Sequence, residues 1–276
     1  MRPLRVESSK SATVPCMPFS VVEAKAIRLR LMQRRHFSRT LRVIVFILRP
    51  WLMVLTKRDW RGGHNLPSGG FVVAPNHLSH VDPLLVAHYL VDHGIPPRFL
   101  AKDTIMAVPV LGRILTNTGQ IPVFRGSKDA AKSLSAAIAA VNEGHAISIY
   151  PEGTITRDSA AWPMSGRTGA VRVALATRKP LIPMMQWGAQ DILWPYSKKL
   201  RLFPRKTVHV HVGEPIDLSD LYDKEVTEQV LHEATDRLMN TLTEMMSTVR
   251  GEVPTTPRID VHTLAKSNRT YNGLDS

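Results

Sequence analysis

Six short apolar runs, at 71–74, 98–101, 121–124, 146–150, 181–185 and 207–212, recur along the chain. Stretches with helical spacing of apolar residues lie among them at 82–93, 127–142 and 165–177. Strands this short, separated by helices, bury their faces by stacking helices against a sheet, so the alternation predicts an α/β domain. Gly126-Ser127 and Glu143-Gly144 bracket the second helical stretch as start and stop signals. Residues 222–249 read as a closing helix with an apolar stripe of Val226, Val230, Leu231, Ala234, Leu238, Leu242 and Met245. Beyond Gly251 the sequence is polar and aperiodic, and 251–276 is expected to be a loose tail.

Charge is distributed unevenly. The chain has 276 residues and a formal charge of +13. Residues 1–50 hold eleven Lys and Arg against two acidic residues, a local +9. Residues 1–20 have no structural pattern and are expected to be a disordered leader. Residues 21–60 alternate cations with apolar residues and culminate in LRVIVFILRPWLMVLT at 41–56, which Arg42 and Arg49 interrupt and which is expected to break at Pro50. No run reaches the roughly 18 apolar residues of a spanning helix. A basic amphipathic helical anchor follows, lying on a phospholipid surface at the cytoplasmic face of the cell membrane, peripheral or monotopic. The apolar run is too far from the start, and lacks a small-residue cleavage pattern, to be a signal peptide. Nucleic acid is not expected as a partner, because the basic leader has no interleaved aromatics and no recognised binding module follows it. The lone Cys16 excludes an internal disulfide or a cysteine-rich zinc site.

Chemistry concentrates in Asn76-His77-Leu78-Ser79-His80-Val81-Asp82, between a predicted strand and a predicted helix. A histidine accepts a proton near neutral pH, and a carboxylate on its other ring nitrogen fixes the tautomer and stabilises the imidazolium. Asp82 could fold back on His77 to do this, or Asp82-Pro83 could simply cap a helix. No Gly-x-Ser-x-Gly elbow occurs and no cysteine is nearby, so the pair reads as a base acting on a substrate hydroxyl. A second block, Tyr150-Pro151-Glu152-Gly153-Thr154, follows another predicted strand, where open α/β sheets place ligand loops.

Together with Gly119-Gln120-Ile121-Pro122-Val123-Phe124-Arg125 between them, and Arg167-Thr168-Gly169-Ala170 and Leu181-Ile182-Pro183-Met184 after them, these blocks resemble the glycerolipid acyltransferase family over roughly residues 64–215. The likeness is to its 1-acylglycerol-3-phosphate acyltransferases. It implies a mixed central sheet flanked by helices, an acyltransferase domain at 61–250, and transfer of an acyl group from acyl-CoA or acyl-carrier protein to lysophosphatidate, with no cofactor and no acyl-enzyme. His77 would be the catalytic base and Asp82 its orienting partner. Arg125 would hold the acceptor phosphate, for which a guanidinium fork is suited. Glu152, Gly153 and Thr154 fall in the block that shapes the acceptor site. Glu152 could instead hold the loop by a salt bridge to an arginine, and Gly153 would let backbone approach the ligand. Relatives often carry Arg directly after that Thr, whereas here Ile155-Thr156 precede Arg157. Arg167 stands where lysine is common, and Lys102 is a further cation placed near the site by the resemblance. Other acceptors, and a non-catalytic membrane-bound scaffold of the same fold, are the alternatives.

His77 and His80 lack a third and fourth metal ligand nearby, so no metal is expected there. His209 and His211 alternate with Val208, Val210 and Val212, and read as the polar face of a strand rather than a zinc site. Trp187, Trp194, Pro195 and Tyr196 read either as a lip for an acyl chain or as loop packing.

Overall fold

The computed structural model describes residues 37–123 and 130–261. Its first element is helix α1, Arg39–Leu55, opened by Ser38, whose Oγ accepts the Leu41 N–H at 3.1 Å. The expected break at Pro50 does not occur, since the helix runs through it. Proline removes the N–H that would meet the carbonyl of Phe46. Phe46 is 81% exposed, on a face where water can serve the freed carbonyl.

After α1 come β1 (Thr56–Arg61), β2 (Phe71–Pro75), α2 (Asp82–Asp92), β3 (Leu100–Lys102), α3 (Asp103–Met106), α4 (Pro109–Asn117) and β4 (Ile121–Val123). The chain continues with α5 (Ala130–Asn142), β5 (Ala146–Ser148), α6 (Gly169–Thr177), β6 (Leu181–Trp187), α7 (Ala189–Ile192), β7 (Lys206–Val212) and α8 (Glu228–Arg250). The main sheet has the order β1-β7-β6-β2-β5. Its pairs are parallel except β6 with β7, so the sheet is mixed. A parallel pair, β3 and β4, attaches through a bridge between Phe99 and Ser148.

β2 lies inside this sheet and is buried on both faces, which is why it reads as a continuous apolar run rather than an alternating one. Val72 and Ala74 join a core with α5, α6 and α8, while Phe71 and Val73 join another with α2, α7 and the valines of β7. β1 is the element hidden from sequence reading. Its residues TKRDWR carry little apolar alternation, yet they form the edge strand, so the expected helical segment ends in a strand. Trp60 supplies the reason, since its ring packs against His88 and Tyr89 at 4.7 and 5.2 Å. Gly62 then turns with φ +70°, and a side chain there would meet the Val212 carbonyl oxygen at 1.9 Å. α1 is tied to α2 by Arg49, whose Nε lies 2.6 Å from Asp92 Oδ1, with Arg58 on the other carboxylate oxygen at 3.2 Å.

The closing helix begins later than its apolar pattern suggests. Thr227 accepts the Val230 N–H as N-cap, leaving Val226 outside the helix and 54% exposed. Nor is the start of the tail loose. The Ser165 N–H donates to the Ile259 carbonyl at 2.8 Å, the Val261 N–H donates to Ser165 Oγ at 2.9 Å, and Val261 is buried. Polar side chains of this stretch join in, Asp260 Oδ1 accepting from Ser165 Oγ at 3.1 Å and Arg258 donating to Asn240 Oδ1 at 2.8 Å. The leader and the first part of the expected anchor, together 1–36, and the tail beyond 261 lie outside the described residues.

Candidate active site

β2 ends at Pro75, and the loop 76–81 leads into α2. Asn76 locks the loop to β6: its Nδ2 donates to the Gln186 carbonyl, its Oδ1 accepts the Gln186 N–H, and its carbonyl accepts from Gln186 Nε2, at 3.0, 2.7 and 2.7 Å. Ser79 Oγ donates to the Leu193 carbonyl at 2.6 Å. Asp82 is the first residue of α2 and wholly buried. Rather than capping the helix, its Oδ2 gathers the Leu78 and Ser79 N–H groups and stands 2.9 Å from His77 Nδ1. Next to this carboxylate a neutral imidazole carries its proton on Nδ1, which leaves the lone pair on Nε2. The side chain of His77 is 16% exposed, enough to meet a substrate atom while its partner stays dry.

The second block grips the same residue. The His77 N–H donates to Glu152 Oε1 at 2.8 Å, and the His77 carbonyl accepts the Thr156 N–H at 2.8 Å. Tyr150 stacks on the imidazole with centroids 4.2 Å apart, and Phe99 stacks behind Tyr150 at 6.4 Å. Glu152 is fully buried, and its other oxygen accepts the Met164 N–H at 3.1 Å. Burial pushes its carboxyl up to about 8, against the pull of the two N–H donors. Nearby Asp82 adds to the rise and Arg258 opposes it. Glu152 holds the His77 loop, as one of its two expected roles had it, but through backbone donors and without the expected arginine salt bridge.

The remaining expected residues spread outward. Gly153 has φ +67°, and Arg167 crosses it so closely that a Cβ there would lie 3.0 Å from the Arg167 Cδ and Nε. Arg167 also donates its N–H to the Pro151 carbonyl at 2.7 Å. Thr154 is half-buried in the same loop, and Arg157 is exposed with its guanidinium 5.6 Å from the Tyr196 ring centre. Lys102 is exposed at the end of β3, in register with Val123 of β4. Arg125, two residues further on, lies outside the described residues. Of the aromatic lip, Trp194 and Tyr196 are 46% and 56% exposed, whereas Trp187 packs under Arg250. Sequence reading assigned no role to Tyr150, though it stood within the quoted block. It could not find Gln186 or Arg258, because nothing local marks a partner over 100 residues away, nor Met164, which takes part through its backbone N–H alone.

The sequence model of the acyltransferase family matches residues 57–187. Residues 57–187 belong to the acyltransferase family. This acyltransferase domain covers β1 to the end of β6, the span that builds the His77 site. The chain is 26% identical over 185 residues to the 1-acyl-sn-glycerol-3-phosphate acyltransferase of Borreliella burgdorferi, covering 66% of this chain and 71% of that one. It is 29% identical over 167 residues to the lyso-ornithine lipid O-acyltransferase of Pseudomonas aeruginosa, covering 56% and 62%. The crystal structure of the 1-acyl-sn-glycerophosphate acyltransferase PlsC from Thermotoga maritima superposes with a TM-score of 0.54 over 80% of each chain at 19% identity, a likeness of fold.

Proposed function

We propose that this acyltransferase moves a fatty acyl group from acyl-CoA or acyl-carrier protein to the free hydroxyl of lysophosphatidate, giving phosphatidate. The observation that carries the reading is His77, held through Nδ1 by a buried carboxylate and accessible at its edge. Nε2 takes the hydroxyl proton as the acceptor oxygen bonds to the thioester carbonyl carbon. The tetrahedral intermediate collapses with cleavage of the carbon–sulfur bond, and the imidazolium returns the proton to the departing thiolate. Asp82 holds the tautomer and stabilises the imidazolium between these steps. Arg125, Arg157, Arg167 and Lys102 are the cations proposed to meet the phosphates of acceptor and donor, with Glu152, Gly153 and Thr154 shaping the loop beside them.

Likeness to a lyso-ornithine lipid enzyme supplies a second reading, an acceptor without a phosphate. Purified protein given acyl-CoA and a panel of lysophosphatidate, glycerol 3-phosphate, other lysophospholipids and lyso-ornithine lipid should release free CoA fastest with lysophosphatidate. A preference for the phosphate-free lipid would replace that acceptor with the second one.

Membrane attachment is proposed to run through α1. No helix among the described residues is long and apolar enough to cross a membrane. α1 nevertheless exposes Val43, Phe46, Ile47, Trp51 and Val54, all more than half accessible, near the exposed Arg39 and Arg42. Such a helix lies in the interface plane, with its apolar face in the lipid and its cations at anionic headgroups. Burying a large side chain is worth about 1.5–3 kcal/mol, so the double substitution Phe46→Asp, Trp51→Asp should weaken binding to anionic vesicles by at least about tenfold in sedimentation. Unchanged binding would remove α1 from this role.

A further inference from the structure

Two strands away from β2, at the edge of the sheet, β1 and β7 run parallel with Asp59 opposite His209 and Arg61 opposite His211. Residues two apart on a strand point the same way, so Asp59, Arg61, His209 and His211 share one face. The intervening Val208, Val210 and Val212 turn into the core on the other. The histidines are therefore not held in place by packing into that core. Asp59 Oδ2 stands 2.8 Å from His209 Nδ1 and 3.1 Å from His211 Nε2. The donor atoms of the three side chains all lie within 4.8 Å of one another. Arg61 Nε donates to the other carboxylate oxygen, Oδ1, at 2.9 Å, which turns Oδ2 toward the two rings. The three side chains are between 15% and 27% exposed, sheltered yet open to a small ion from solvent.

We infer that Asp59, His209 and His211 form a binding site for a divalent transition-metal ion of the zinc class, separate from the His77 site. Two imidazole nitrogens and one carboxylate oxygen suit such an ion, and three protein ligands leave a fourth position for water. Tetrahedral bonds of about 2.1 Å set donors about 3.4 Å apart, a spacing bracketed by the hydrogen-bonded separations and the overall span of the three atoms. Binding replaces the two hydrogen bonds by three metal bonds. The ring protons now directed at Oδ2 move to the other ring nitrogen or to solvent, so each imidazole offers a lone pair. Arg61 remains on Oδ1 as the hydrogen bond that ligating carboxylates ordinarily receive, its charge screened by water because its side chain is 69% exposed. The ion would cross-link the edge strand, which continues directly from α1, to β7 in the body of the domain.

The alternative is a hydrogen-bonded clasp with no ion in it, and zinc itself separates the two. Full-length protein stripped with chelator is titrated with Zn²⁺ by calorimetry and followed by thermal melting. Wild type should bind one equivalent through this site and melt at higher temperature, reversibly on adding EDTA. Asp59→Asn and His211→Ala, checked for folding by circular dichroism, should bind at least about tenfold more weakly and lose the melting response. Co²⁺ in place of Zn²⁺ should give visible absorption bands of a low-coordinate nitrogen and oxygen site in wild type alone. No zinc uptake by wild type, or equal uptake and equal melting response in wild type and both variants, would overturn the site. Because the two variants remove different ligands, either one that folds decides the matter if the other does not.

Discussion

His77→Ala is expected to lower the rate of acyl transfer by about three orders of magnitude, within the 10²–10⁴ range of a positioned general base. Nothing else in the described site can take over the proton. Asp82 is wholly buried behind the ring, and Glu152 is turned away into backbone donors. The fold should tolerate the change, because the grips on residue 77 from Glu152 and Thr156 are made by its own backbone and survive the loss of the ring. Initial rates of CoA release with lysophosphatidate should therefore fall in kcat, with KM and melting temperature little moved. A variant within tenfold of wild type would sink His77 as the base.

Glu152→Gln should damage stability and catalysis together, and its effect should depend on pH. The carboxylate now accepts two N–H groups, those of His77 and Met164. A glutamine can accept only one of them and turns an NH₂ toward the other, leaving a buried donor unpaired at a cost of about 1–3 kcal/mol. The same substitution removes a group whose proton is held up to about 8 in the folded protein, against an ordinary value of 4.5. Between those values the folded state binds more protons than the unfolded state, so this group's contribution to stability is fully present below pH 4.5 and is lost as pH rises to about 8. Urea unfolding at pH 5, 6.5 and 8 should show wild type losing stability more steeply than the glutamine variant, the two drawing together at the alkaline end. Parallel slopes would mean that Glu152 does not titrate in this window. Because the His77 N–H is one of the two donors, kcat of the variant should fall by about one to two orders of magnitude with KM nearly unchanged, the signature of a positioning residue.

How far the residues were legible depended on the distance over which their partners act. His77 and Asp82 are five apart across one turn, and local chain geometry suffices to bring a ring nitrogen to a carboxylate. β2 and β6 were visible because burial on both faces demands a run of apolar residues. β1 was not, because an edge strand carrying Lys57, Arg58, Asp59 and Arg61 satisfies its charges in solvent and across to β7, and leaves only Trp60 to mark its inner face. Pro50 misled for a related reason, since proline ends a helix whose carbonyl would be orphaned, and here that carbonyl belongs to an exposed residue.

By itself the sequence determined the α/β alternation, the His77 and Asp82 pair, the basic amphipathic approach to the domain and the family likeness, because each rests on periodicity or on residues close along the chain. Tertiary structure alone decided that Glu152 holds the His77 backbone, that Gln186 locks Asn76, that residues 259–261 dock on Ser165, and that Asp59 meets two histidines 150 and 152 residues away. The physical reason is register. Which residue of one strand faces which residue of another follows from the packing of the whole sheet between its helices, and no local stretch of chain contains that information.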